Sequence, residues 1–306
     1  MEEETKIWAQ SLAWDYRNSA EMICRYMDAK VLPGYVAVQN GRALGYCFFV
    51  YEGNKGVVGD LYVSRALEGG HETEFRLLTH GIATLQQSPG IQRVEAQLLL
   101  HETGVVAEPF LQAGFRQHQR LFMMLPLGNG TANRRSRVPA PGDRGLSLPS
   151  DIEVRHWSDG DYHAAATVIT SSYYGHIDAD INDQYHSTGG SLRFLNNIVR
   201  FPGCGTFDNG ASFVAMHRPT RTMVALVLCS RVKDEVGHVT QVCVVPGHRG
   251  RRLGEILLDM TSGELRRRGF SSLTLTVTEA NRSAVNLYLR LGYRIHRRFD
   301  AFVWER

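Results

Sequence analysis

Residues Val244–Glu255, VVPGHRGRRLGE, place Gly247, Gly250 and Gly254 among His248, Arg249, Arg251 and Arg252, between a strand-like run and a helix-like one. A helix beginning at Gly250–Leu253 presents backbone N–H groups without intrahelical acceptors and the positive end of its dipole. The glycines leave that backbone open, and the guanidinium groups match phosphate oxygens. This chemistry suits a pyrophosphate. No GKS or GKT follows and GxGxxG is absent, so neither common glycine-rich phosphate signature is present. A strand–helix turn with a solvated basic first turn accounts for the same residues, and the stretch alone leaves both readings open.

The elements that would position this turn form an alternating series. IEVRHW (Ile152–Trp157) reads as a strand, followed by a helix starting at Ser158 or Asp159. LRFLNNIVRF is amphipathic, and SFVAMHR, TMVALVLCSRV and VGHVTQVCVV read as three strands with short connections. RRLGEILLDMTSGELRRRG is a helix with Leu253, Ile256, Leu257 and Met260 on one face. SLTLTV is a strand, and SAVNLYLRLGY a short helix closed by Gly292 that groups Ala284, Leu287, Tyr288 and Leu291. YRIHRRF and AFVWE are expected to pair as antiparallel strands. Strands dominate with helices between particular ones, which predicts an α/β protein with a mixed sheet.

This order, strand–VxPxxRxxxxG–helix–strand–NxxAxxLYxxLGY, resembles the GNAT superfamily of acetyl-CoA-dependent N-acyltransferases. The resemblance covers the phosphate loop, Arg249–Gly254, and the Asn-to-Tyr helix within NRSAVNLYLRLGY, and its order fits back to about Ile152. It implies that Val242, Cys243 and Val244 line a gap between splayed parallel strands that takes the pantetheine arm. It implies that the amides of Arg249, Gly250, Arg251, Arg252, Leu253 and Gly254 hold the pyrophosphate, and that Asn281 helps to seat acetyl-CoA. Arg252 departs from the family's loop, where glycine is usual; its backbone N–H survives.

The same resemblance makes Tyr288 the candidate catalytic acid for the departing CoA thiolate; packing on the face shared with Leu287 and Leu291 is the competing account. The base is harder to place. Thr276 stands where ribosomal-protein alanine acetyltransferases carry a glutamate, and His238 stands where histone-acetylating members carry one. Strand parity would put His238, Thr240, Val242 and Val244 on one face. A solvent-facing histidine at a strand end, or a water relay without a dedicated base, fits as well. Tyr173, Tyr174, His176, Asp178, Asp180, Asp183 and Tyr185 fall where the superfamily selects its acceptor, and aspartates beside aromatics suit a cationic amine. A polar turn with aspartate caps explains them equally. The spacing of His176, Asp178 and Asp180 has no further ligand to complete a metal site, so no metal is expected.

The first half repeats the second in degenerate form. AEPFLQAGFR mirrors VNLYLRLGYR, and GDLYVSRALEGGHETEFRLL mirrors TQVCVVPGHRGRRLGEILL. Arg249 falls on Glu68, Gly254 on Thr73, Asn281 on Thr103 and Tyr288 on Phe110. Apolar positions persist instead, with Phe75 for Ile256, Leu77 for Leu258 and Gly114 for Gly292. The expectation is two tandem GNAT-like domains: a degenerate one over 1–127, a linker rich in Gly, Pro, Ser and Arg over 128–150, and a catalytic one over 151–306.

With 306 residues, 43% hydrophobic and 21% charged, the chain has the composition of a globular protein with room for two cores. A net charge of +3 argues against a dedicated nucleic-acid binder while permitting a local anion site. Cys24, Cys47, Cys204, Cys229 and Cys243 form no CxxC pair and read as reduced thiols. The start, MEEETKIWAQ, has no apolar signal region, and no run approaches the ~20 apolar residues of a membrane helix. These features predict a cytoplasmic protein without a membrane partner. The sequence thus points to acetyl transfer from acetyl-CoA to a primary amine, on a small molecule or a protein. An acyl-CoA-binding sensor that has lost turnover, or a scaffold that binds no CoA, are the competing classes.

Overall fold

The computed structural model describes residues 1–128, 146–200 and 205–306; most of the linker and Cys204 lie outside these. The chain divides into two compact units, Met1–Leu121 with Arg297–Arg306, and Phe122–His296. Among the described residues no helix is long and apolar enough to cross a membrane.

The first unit begins with helices α1 (Glu2–Ser11) and α2 (Arg17–Asp28). Strands β1 (Gly34–Gln39), β2 (Arg42–Glu52) and β3 (Lys55–Val63) follow as an antiparallel meander. Helix α3 (Gly70–Gln87) crosses over to β4 (Arg93–Gln97), which lies parallel to β3. Such a parallel pair needs a connection of about this length. Helix α4 (Ala107–Gln112) leads to β5 (Arg116–Pro126). The edge of β4 is taken by the chain's last segment, where Ala301–Glu305 pairs antiparallel with Gln97–Arg93. Phe302 from that segment stacks on Phe110 at 4.1 Å in the core of this unit.

The second unit repeats the plan. It comprises β6 (Ile152–His156), α5 (Tyr162–Tyr173), α6 (Ile177–Ile181), α7 (Thr188–Arg200), β7 (Thr206–Phe207), β8 (Phe213–His217), β9 (Thr222–Lys233) and β10 (Val236–Val244). Helix α8 (Leu253–Arg267), β11 (Ser272–Thr278) and α9 (Arg282–Leu291) complete the series, and β12 (Arg294–Glu305) leaves the unit after His296. Strands β6, β8, β9 and β10 are antiparallel neighbours in that order, and β10 runs parallel to β11. Ser158 and Asp161 close a capping box ahead of α5, near the predicted start. Ala165, Ile169, Leu195, Leu226 and Leu228 belong to its core.

The expected hairpin at the end of the chain is instead one strand, β12. Only Asp300 separates its expected halves, Tyr293–Phe299 and Ala301–Glu305, fewer than the two residues of the shortest common hairpin loop. The far half finds its partner in β4, so the last ten residues, Arg297–Arg306, are packed with the first unit.

Two backbone features carry measurable consequences. A Cβ on Gly237 would lie 2.6 Å from Leu265 Cδ1 and 3.1 Å from Leu273 Cδ1, and Gly56 of the first unit meets Leu85 Cδ2 at the same 2.6 Å. Both leucines facing Gly237 are fully buried. Gly237→Ala should therefore destabilise the protein by about 1–3 kcal/mol in denaturant unfolding, through overpacking between α8 and the β10–β11 pair. Arg252, just before α8, holds φ +62°, the left-handed region that disfavours a residue with a Cβ. Arg252→Gly should raise the unfolding temperature by roughly 2–4 °C. A fall would mean that the lost fork of bonds from Arg252 to Glu255, both 3.0 Å, outweighs the relief.

Candidate functional site

The ladder between β10 and β11 runs from Val236↔Ser272 to Val239↔Leu275 and stops there. At the same level the register of β10 against β9 shifts, from Val239↔Cys229 to Gln241↔Leu228, which leaves Thr240 as an inserted residue. A bulge bends its strand and interrupts pairing. Beyond it, Gln241–Val244 and Thr276–Thr278 diverge without pairing to each other, so backbone groups face a gap.

The bulge also overturns the predicted parity. Opposed residues of an antiparallel pair share a face, so His238, Gln241 and Cys243 lie on one side with Ser230, Leu228 and Leu226. Val239, Val242 and Val244 lie on the other with Cys229, Val227 and Ala225. One inserted residue moves everything beyond it to the opposite face. His238 is therefore parted from Val242 and Val244, and it is no solvent-facing group: it is 7% exposed. Its Nδ1 lies 2.9 Å from Thr274 Oγ1 and its ring stacks on Phe122 at 6.0 Å. Burial lowers its pKa to about 4, which makes it a poor acceptor for an ammonium proton.

At the wide end of the gap the chain turns through Pro246–His248 and Gly250 (φ +76°) into α8. Ile256 N–H bonds back to Arg252 O at 3.0 Å. The amides of Leu253, Gly254 and Glu255 precede that bond and have no intrahelical acceptor. A Cβ on Gly254 would meet only Val244 Cγ2, at 3.8 Å, so the protein's own packing does not require glycine there. What glycine does is leave the amides uncovered. The expected phosphate contacts from the arginine side chains are not what the structure places. Arg249 Nη2 donates to Ser172 O (2.6 Å) and its Nε to Val244 O (3.3 Å), tying the end of α5 to the end of β10. Arg251 Nη2 donates to Asp151 Oδ1 at 2.5 Å, which holds that carboxyl below its usual range. Arg252 is forked onto Glu255. The cradle is made of amides, with guanidinium groups fastened behind it.

Asn281 caps α9, its Oδ1 accepting from Ala284 N at 3.2 Å, and its Nδ2 lies 3.3 Å from His176 Nε2. Thr278 Oγ1, at the end of β11, donates to Asp178 Oδ1. His176 and Asp178 therefore clamp α6 over the divergent ends of β11 and α9. No group of three His, Cys, Asp or Glu is placed to hold a metal among the described residues. Tyr173 stacks on Tyr185 at 4.3 Å, meets His176 edge-on at 5.3 Å, and donates from Oη to Gln241 Oε1 at 2.7 Å. Burial pushes its ionisation up. Tyr288, 7% exposed on α9, packs against Tyr293 with ring centres 5.7 Å apart. Sequence reasoning passes over Gln241 because its place beside the gap depends on a bulge that spacing does not reveal.

The first unit keeps the frame and changes its lining. Phe48↔Asp60 and Phe49↔Val58 leave Gly59 as the inserted residue of β3, and the parallel ladder to β4 stops at Val58↔Ala96. Glu3 accepts from Ser64 Oγ (2.8 Å) and Arg65 N–H (3.2 Å) where the loop leaves β3. Asp60 accepts from Tyr16 Oη at 2.9 Å, and Tyr46 Oη donates to Glu4 Oε2 at 2.7 Å. Burial, followed by the neighbouring Glu4 carboxylate, raises the pKa of Asp60. Acidic side chains, Glu3, Glu4 and Asp60, thus surround this end of β3, an unfavourable place for an anion.

Residues 179–293 match the family model described as Acetyltransferase (GNAT) family. Over 55 residues the chain is 36% identical to streptothricin acetyltransferase of Streptomyces lavendulae, a match that spans 18% of this chain and 29% of that protein. Among solved structures, a GCN5-related N-acetyltransferase from Sphaerobacter thermophilus aligns at TM-score 0.61 and 19% identity, over 87% of this chain and 78% of that one. A tandem GNAT protein from the clavulanic acid biosynthesis pathway aligns at 0.58 and 15%, over 90% and 82%. At these identities the two structures speak for the fold alone. Bulge, divergent strands and open helix start coincide in the second half with the stretch, residues 179–293, that is similar to the GNAT family model.

Proposed function

We propose that the second unit binds acetyl-CoA and transfers its acetyl group directly to a primary amine in a ternary complex. The observation that carries this reading is the end of the β10–β11 ladder at Val239↔Leu275, beside an open helix start. The unpaired edge at Val242, Cys243 and Val244 suits an extended arm bearing amides. The amides of Gly250–Gly254 suit a pyrophosphate, that of Arg249 being taken by Pro246 O at 3.2 Å, and Asn281 fixes the start of α9. Acetyl-CoA supplies an activated acyl group. Tyr288 carries a phenolic O–H that can donate its proton to the departing thiolate. The Tyr173–Tyr185 stack and Asp178 form a surrounding suited to a cationic amine, on a small molecule or a protein. His238 has no part in this reading, and the attacking nitrogen loses its proton to water. The buried free thiols of Cys47, Cys229 and Cys243 fit a reducing, cytoplasmic setting.

Calorimetric titration of acetyl-CoA into the wild type, Gly254→Asp and Glu68→Arg tests this. Gly254→Asp has room for its Cβ and places a carboxylate where a helix start favours it, so the fold should persist while phosphate is repelled. One site per chain is expected, lost in Gly254→Asp and indifferent to Glu68→Arg. In an amine panel Tyr288→Phe should lower kcat at least about 100-fold with little change in acetyl-CoA affinity. Absence of binding to the wild type would overturn the reading; binding without turnover on any amine would leave an acyl-CoA-binding module.

A further inference from the structure

Gln241 is the first residue past the bulge and is 4% exposed. Its carboxamide has one allowed orientation. Oε1 accepts from Tyr173 Oη at 2.7 Å and from the N–H of Val242 at 3.0 Å, and turning the amide over would set its NH2 against the Val242 N–H, which can only donate. Nε2 is thereby left pointing elsewhere, and this buried NH2 has no hydrogen-bond partner among the described residues. An unsatisfied buried donor is costly, and a catalytic role that a bound ligand completes is one physical reason for it.

What completes it must offer an acceptor oxygen. The two bonds into Oε1 polarise the carboxamide and strengthen its N–H groups as donors. The first unit sharpens the point. Asp60 receives a tyrosine hydroxyl (Tyr16, 2.9 Å) and the next residue's N–H (Leu61, 2.8 Å) one position after its own bulge. The same two kinds of donor meet the side chain, but Asp60 has no NH2 group in the place of Gln241 Nε2.

We propose that Gln241 is a catalytic residue of the second unit whose Nε2–H donates to the thioester carbonyl oxygen and to the oxyanion formed from it. The assignment rests on the acetyl-transfer reading above. As the amine lone pair forms the C–N bond, the carbonyl π pair moves onto oxygen, where Gln241 receives the charge. Return of that pair re-forms C=O and breaks C–S. The thiolate takes a proton from Tyr288 Oη, and the proton released by nitrogen to water restores the phenol. Amide donors set in a buried position hold such charge better than water does, because they need not reorient.

Gln241→Glu keeps an oxygen for Tyr173 and Val242 and exchanges the donor for an acceptor; Gln241→Met removes the donor without adding charge. Dissociation constants for acetyl-CoA and for CoA, which lacks the carbonyl, would be measured on the full chain beside single-turnover rates. Both variants should bind CoA as the wild type does and lose about 3–10-fold in acetyl-CoA affinity. Acetyl transfer should slow by about 10²–10³. Equal weakening toward both ligands would put Nε2 on the arm of the cofactor and overturn the proposal. Unchanged rates, or loss of CoA binding by both variants, would overturn it too. A wild type that neither binds nor turns over acetyl-CoA would instead bring down the functional reading itself.

Discussion

One inserted residue, Thr240, governs the second unit of this molecule. Without it β10 would continue along β11 in regular register, its backbone groups would be spent on the ladder, and no unpaired edge would exist. The insertion does three things at once. It ends the parallel pairing at Val239, it turns Val242 and Val244 toward α8, and it turns Gln241 and Cys243 toward α5. The amide cradle and the aromatic wall thus stand on opposite faces of one strand, with the gap between them.

The first unit separates what the frame requires from what the chemistry requires. Gly59 retains the bulge and Gly56 retains the close helix approach, since both are conditions of packing. Asp60 and Phe110 occupy the places of Gln241 and Tyr288, and neither substitution disturbs the core. Asp60 is hydrogen-bonded in place of the amide, and Phe110 fills the same volume against Phe302. A hydroxyl and an amide N–H can be lost at little cost to folding; a bulge cannot, because every side chain beyond it would change face.

That distinction also explains what could be read in the chain beforehand. Periodicity located α8 and α9, and the runs of β-branched residues located β8–β11, because each of these elements buries one face against its own unit. Gly292, at φ +97°, ends α9 as its position suggests. Features set by pairing between distant segments were not legible. The hairpin expected over Arg294–Glu305 gave way to a single strand because its partner, β4, lies about two hundred positions earlier. His238 was assigned to the wrong face because alternation counts residues and cannot see an insertion. Gln241 was passed over for the same reason.

The loop illustrates a limit of reading charge as contact. Arg249, Arg251 and Arg252 mark the cradle in the sequence, yet their guanidinium groups are held by Ser172 and Val244 carbonyls, by Asp151 and by Glu255. Each bond spends a donor that a phosphate could have taken, and each fixes a stretch of backbone that carries an amide. Arg249 holds the end of β10 against α5, and Arg251 braces the turn against Asp151. An amide that is already aimed loses no conformational freedom when an anion arrives, whereas a long side chain does. The positive charge remains nearby to attract the anion over about a Debye length. Division of labour follows: the arginines shape and charge the loop, and the amides at the start of α8 are left open.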